Sequence, residues 1–174
     1  TTFVAAVGGD ADPPLSATKL GLGSGAGEAI TINSTGATDF QSTVQTASGL
    51  LQADAAGAVT FEDDVTIAAG TGGGTDTLLN ANVVFDNTNS GVAGFDFVSA
   101  GNVNIGNDIA ADTFTLVDGA GTDPVYEVQI TDAPDTLTVD AMMDGAVDFQ
   151  FNVDAGAGIG VFNGAVGATT PIGD

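Results

Sequence analysis

The chain has no cysteine, no histidine and no arginine, and Lys19 is its one basic residue. Without cysteine there is no disulfide framework and no zinc or iron–sulfur site of the usual kind. Without histidine the commonest general base and metal ligand is missing. The lack of Lys and Arg excludes a nucleic-acid binder, because phosphates must be neutralised by cationic side chains. Against that single lysine stand 20 Asp and 3 Glu, for a formal charge of −22. Such a surface repels polyanions and anionic lipid alike, and divalent cations are its natural counterions. Long apolar runs are absent too: none approaches the roughly 18 residues that a membrane span needs, so the chain is not expected to cross a membrane. The opening Thr1-Thr2-Phe3-Val4 has neither an initiator methionine nor the basic start of a signal peptide, and reads as a processed product or an excerpt of something longer.

What is present is 26 glycines in 174 residues, 43% hydrophobic residues and only 14% charged ones. That is enough chain for one domain with its own core and too little for two. No window carries apolar residues at i, i+3, i+4 and i+7 without glycine or β-branched interruption, so the class is all-β. Alternating runs recur: 29–33, 59–61, 65–67, 102–105, 114–117, 126–130, 137–139 and 149–153. Each hides every second side chain and is bounded by turn formers. The glycine-rich stretches at 21–27, 70–74, 118–121 and 156–160 supply the turns.

A longer pattern, Phe-x-x-x-Val, starts at Phe3, Phe40, Phe61, Phe149 and Phe162. If each copy lies in one strand, its two apolar residues share a face. Phe40, Phe61 and Phe85 are 21 and 24 residues apart. One coil of a three-sided β-solenoid needs about that much chain, with the aromatics stacked as an interior ladder. The ends also match: Phe3, Val7, Pro14 and Leu15 correspond in order to Phe162, Val166, Pro171 and Ile172, at an offset of 159 with a two-residue gap before the proline. Residues 1–15 are therefore read as a linking or donor strand and 16–174 as a single all-β repeat domain, in which 161–174 resembles 2–15.

Segments 30–67 and 161–174 resemble repeats of giant bacterial surface proteins, the filamentous-haemagglutinin-like and autotransporter-passenger class. The resemblance covers about a third of the chain. It implies secretion, a right-handed parallel β-helix, and adhesive or matrix roles without catalytic residues. Residues 119–148, with Pro124 and Pro134, depart from the pattern, which keeps a β-sandwich completed by a strand from a neighbouring copy as the alternative fold.

Two acidic groups are candidate calcium ligands, since calcium takes carboxylate and carbonyl oxygens. Asp118 and Asp123 flank a glycine loop, while Glu62, Asp63 and Asp64 stand in succession in a strand region, where repulsion favours a cation. Neither is an EF-hand loop, and the competing reading is aspartate as a solubilising turn former. Residues 70–78 are similar to one copy of a glycine-rich calcium nonapeptide, but such rolls need several, and a loop is the better reading. The carboxylate pairs Asp132/Asp135 and Asp144/Asp148 could in principle serve a glycosidase. With no Arg or His to hold an acidic sugar, catalysis is not expected. The ten phenylalanines fit core packing better than sugar platforms, and Asn33-Ser34-Thr35 is an N-glycosylation sequon, expected in an exposed turn.

The expectation that emerges is a parallel β-helix repeat outside the cell or on its surface, building a fibre or surface layer by strand continuation between copies of itself. Phe3, Val7, Pro14, Leu15, Phe162, Val166, Pro171 and Ile172 form its assembly ends. The rival is a calcium-dependent adhesin module that binds glycans.

Overall fold

The computed structural model describes residues 1–3, 30–46, 48–67, 76–88, 94–107, 111–117, 125–131, 135–145, 147–153, 159–167 and 169–172. Val7, Pro14, Leu15, Asp118, Asp123 and Asp132, with the glycine stretches at 21–27 and 70–74, lie outside the described residues. Among those described there is no helix, and none is therefore long and apolar enough to cross a membrane.

Seventeen short strands run in chain order: β1 Thr2–Phe3, β2 Ile30–Ile32, β3 Thr38–Phe40, β4 Val44–Thr46, β5 Leu50–Gln52, β6 Val59–Phe61, β7 Val65–Ile67, β8 Thr77–Leu79, β9 Val83–Asp86, β10 Phe95–Ser99, β11 Val103–Ile105, β12 Thr113–Val117, β13 Val125–Ile130, β14 Thr136–Val139, β15 Met142–Asp144, β16 Asp148–Val153 and β17 Ile159–Phe162. They form three parallel sheets. Sheet A is β1-β3-β6-β9-β12-β15, sheet B is β4-β7-β10-β13-β16, and sheet C is β2-β5-β8-β11-β14-β17. From β3 onward the chain visits A, B and C in strict rotation, so each circuit is one coil of a three-sided parallel β-helix. Parallel strands separated by crossovers rule out the antiparallel sandwich alternative.

The strands alternate buried and outward residues, as in β6, β7 and β8. The alternation follows from the pleat, which points successive side chains to opposite faces. Inward positions stack coil upon coil. On sheet A, Phe3, Phe40, Phe61, Phe85 and Leu116 fall in one column. The first rings are parallel, 4.9 Å apart for Phe3–Phe40 and 5.2 Å for Phe40–Phe61, close to the natural separation of neighbouring strands. Phe85 then meets Phe61 and Phe114 edge-on and stacks on Phe95 and Phe97 across the lumen. The expected aromatic ladder at spacings of 21 and 24 is therefore present. Six phenylalanines are fully buried in the lumen among the described residues, and Phe40, Phe61 and Phe85 of these belong to the ladder.

Two expectations change in detail. In Phe40–Val44 and Phe61–Val65 the two apolar residues do not share a strand: each pair brackets the corner from sheet A to sheet B, and both residues point inward because the chain turns between them. Among the pairs with both residues described, only Phe149 and Val153 lie within one strand, β16. Residues 119–148, which break the pattern in sequence, carry β13, β14 and β15 in the same rotation.

Polar groups inside the lumen are satisfied at corners. Gln52, fully buried, donates to Gly57 O (2.9 Å) and Asn82 O (3.2 Å) and accepts the Ala81 N–H (3.3 Å). Asn82 and Asn102 accept backbone N–H groups of the next coil, from Thr113 (2.9 Å) and Thr136 (2.8 Å). Such ties let a turn residue stack where an apolar one would be exposed.

Candidate assembly interface at the two ends of the coil

Inside the stack every strand has a neighbour on both sides; at the ends it does not. Among the described residues β1 pairs only with β3, β2 only with β5 and β4 only with β7 at the first end, while β16 pairs only with β13 and β17 only with β14 at the last. An unpaired parallel edge presents a row of N–H and C=O groups to any strand of matching direction.

Natural edges are usually blunted with charge, proline or a covering element. Of these five strands β1, β2, β4 and β17 contain no charged residue and no proline, in a chain of charge −22, while β16 carries Asp148. Four of the five exposed large apolar side chains among the described residues sit there too: Phe3 (39% exposed) at the first end, and Ile159 (58%), Phe162 (40%) and Val166 (52%) at the last; the fifth, Val125, begins the inner strand β13. At the first end a cavity of about 160 Å³ opens between β1 and β2, lined by Phe3, Ile30, Ile32, Thr38 and Phe40 among others. An apolar cavity of this size accommodates a benzene-sized group.

The last end is partly closed by the chain itself. After β17 the Asn163 N–H bonds Val139 O (2.9 Å), and Val166 forms a parallel bridge to Met143 on sheet A, with Met143 N–H to Ala165 O and Gly167 N–H to Met143 O, both 2.9 Å. Glycine is required at 164, since a Cβ there would stand 1.9 Å from Ala141 O. Beyond the bridge, the Thr170 N–H bonds Asp144 Oδ1 (2.6 Å), and Ile172 packs on the core, sharing with Val125, Asp148, Phe149 and Gln150 a cavity of about 350 Å³. Of the expected assembly residues, Phe3, Phe162, Val166, Pro171 and Ile172 are thus at the ends. Phe3 belongs to sheet A and Phe162 to sheet C, so these two matched phenylalanines lie on different faces.

The acidic residues expected to hold calcium do not converge where they are described. Glu62, Asp63 and Asp64 form the corner between β6 and β7 instead of lying within a strand. Glu62 is buried and accepts from Gln41 Nε2 (3.4 Å), Asp63 Oδ1 accepts the Asp64 N–H (2.9 Å), and Asp64 Oδ1 accepts the Asp96 N–H of the next coil (3.0 Å). Among the described residues no three acidic side chains form a group able to hold a metal. Asp144 and Asp148 flank the corner after β15, and Asn33 is exposed just beyond β2.

The stacking does bring carboxylates together on the outer face of sheet B, where Asp96 lies opposite Glu127 and beside Asp64. Partial burial, then Asp64, then Glu127 push the Asp96 carboxyl above its usual range. An acid whose folded pKa is raised favours the fold when protonated: that contribution is complete below the unfolded value of 3.8 and is lost as pH rises through the folded value. Asp96→Asn is therefore expected to be more stable than the parent at pH 7, with the gap closing toward pH 4. Urea denaturation at the two pH values measures this, and a gap that widens on acidification contradicts it.

No protein-family model matches the chain, and neither a curated protein nor a solved structure matches it.

Proposed function

We propose that this protein is an extracellular structural element whose copies join end to end by strand addition, extending the β-helix into a fibre or surface layer. The observation that supports this reading is the placement of charge. Twenty-three carboxylates are carried by the chain, yet among the described residues the strands that pair on one side alone are free of them in β1, β2, β4 and β17, with Asp148 of β16 the exception, and exposed apolar side chains stand on β1 and β17. Joining two ends that differ from one another is a heterologous contact, which produces an open filament when its operation does not close into a ring. The resemblance of 30–67 and 161–174 to repeats of giant surface proteins agrees with this role.

Charge then controls assembly. Two copies at −22 repel along their flanks while their ends attract, so screening should promote growth. Raising salt from 0.01 M to 0.15 M shortens the Debye length from about 30 Å to about 8 Å. Sedimentation velocity at fixed protein concentration is expected to show larger species as salt rises. A protein that remains monomeric across that range and at high concentration overturns the proposal.

A further inference from the structure

We infer that successive copies are related by a one-third turn about the coil axis, so that β1 of the incoming copy adds to sheet C on β17, parallel, with Thr2 opposite Val161 and Phe3 opposite Phe162. The inference rests on the end-to-end reading above and specifies its register.

The argument is one of occupancy. The last complete circuit is β15 on sheet A, β16 on sheet B and β17 on sheet C. The next place on sheet A is already taken by Val166, which bridges to Met143. Ile172 packs on the core and shares a cavity with Asp148, Phe149 and Gln150 of β16. Following the rotation of the chain, the next open place is on sheet C above β17. Stacking a copy without rotation would bring its β1 onto sheet A, against the backbone of Ala165–Gly167, which is hydrogen-bonded there. Placing that copy one level higher would leave a gap over β17. With a one-third turn, β1 meets β17 directly, and among the described residues no hydrogen-bonded backbone stands in its place.

The side chains agree with the placement. Phe162 lies in the inward column of Val139, Ile105 and Leu79, and Phe3 in the inward column of Phe40 and Phe61. Both rings are about two-fifths exposed and both strands are uncharged. Opposed in register they repeat the parallel stacking that Phe3 makes with Phe40 at 4.9 Å. Phe3 also lines the 160 Å³ cavity of the first end, so a ring stacked upon it stands at the cavity mouth. The likeness between the two ends of the sequence begins at these same two phenylalanines.

The absence of native cysteine permits a direct test. Thr2 and Val161 both fall in outward columns, opposite Asp39 and Thr138. Neighbouring strands lie about 4.8 Å apart, within disulfide reach, whereas the two positions within one molecule are about five strand spacings apart. A Thr2→Cys chain mixed with a Val161→Cys chain and oxidised is expected to give a 2–161 linked dimer as the dominant product, lost when Phe162→Asp is added to the Val161→Cys chain. Thr31→Cys mixed with Val161→Cys probes unrotated stacking and should link poorly. Dominant 31–161, 2–2 or 161–161 products overturn the register. If the parent protein polymerises but no 2–161 link forms, this inference fails and the end-to-end proposal stands. If the parent stays monomeric, both fail.

Discussion

Replacing Phe85 by alanine is expected to lower the free energy of unfolding by about 3–5 kcal/mol, the range for deleting a fully buried aromatic side chain. Phe85 is the junction of the lumen: it touches the rings of Phe61, Phe95, Phe97 and Phe114, drawn from sheets A and B and from three successive coils. A cavity there removes contacts on every side, and four aromatic neighbours cannot all close into it. In a solenoid each coil is stabilised mainly by its neighbours, so a defect at the middle also uncouples the two halves. Guanidinium unfolding of Phe85→Ala should therefore show a lower midpoint and a broader or split transition. A midpoint within error of the parent would mean that the aromatic ladder contributes little to stability.

Gly145→Val addresses the last circuit in the same terms. Gly145 has φ of 155° and lies in the corner from β15 to β16, where an added Cβ would stand 2.3 Å from Leu116 O and 2.7 Å from Leu116 Cβ. A β-branched side chain meets both an unfavourable backbone conformation and the wall of the coil below. Strain of about 1–3 kcal/mol and overpacking of similar size add to an expected loss of about 2–5 kcal/mol. The damage should be local. Hydrogen exchange is expected to quicken in β15, β16 and β17 while β6 and β9 keep their protection, because coils at a solenoid end open without the rest. Because β17 is also the acceptor edge, the same variant should assemble poorly; uniform exchange along the chain would contradict the nearest-neighbour picture.

Much of the architecture is legible from residues alone because alternation is local. All eight alternating runs read from the chain contain strands, including β6, β7 and β13, since a strand lined by Val, Ile, Phe and Thr with turn formers at both ends has few other ways to bury its face. Other strands escape such a reading: β3 as Thr-Asp-Phe and β15 as Met-Met-Asp are too short and too polar to show a period, and the longer β9, β10 and β17 are not among the eight runs. The coil repeat is blurred for a different reason. Strand registers are exact, but corner lengths vary: sheet B to sheet C takes three residues after β4 and nine after β7, and sheet A to sheet B takes three after β6 and eight after β9, so spacings along the sheet A column run 21, 24 and 31. Added length at a corner costs little because loop-closure entropy grows slowly with length, whereas a slip within a strand would turn its apolar residues outward.

Composition and alternation alone establish an all-β chain with too little positive charge to meet phosphate and with phenylalanine at the spacing of a coil. These properties follow from side-chain chemistry and from the two-residue period of the pleat, which need no knowledge of what lies across the lumen. Folding settles matters that depend on residues distant in sequence. It makes Phe40–Val44 a corner, turns the Glu62–Asp64 run into separate hydrogen-bonding roles, sets Asp64, Asp96 and Glu127 beside one another, and bridges Val166 to Met143 on sheet A while β17, among the described residues, pairs on one side alone. Stacking couples positions a full coil apart, and the length of each coil is set by corners that carry no periodic signal.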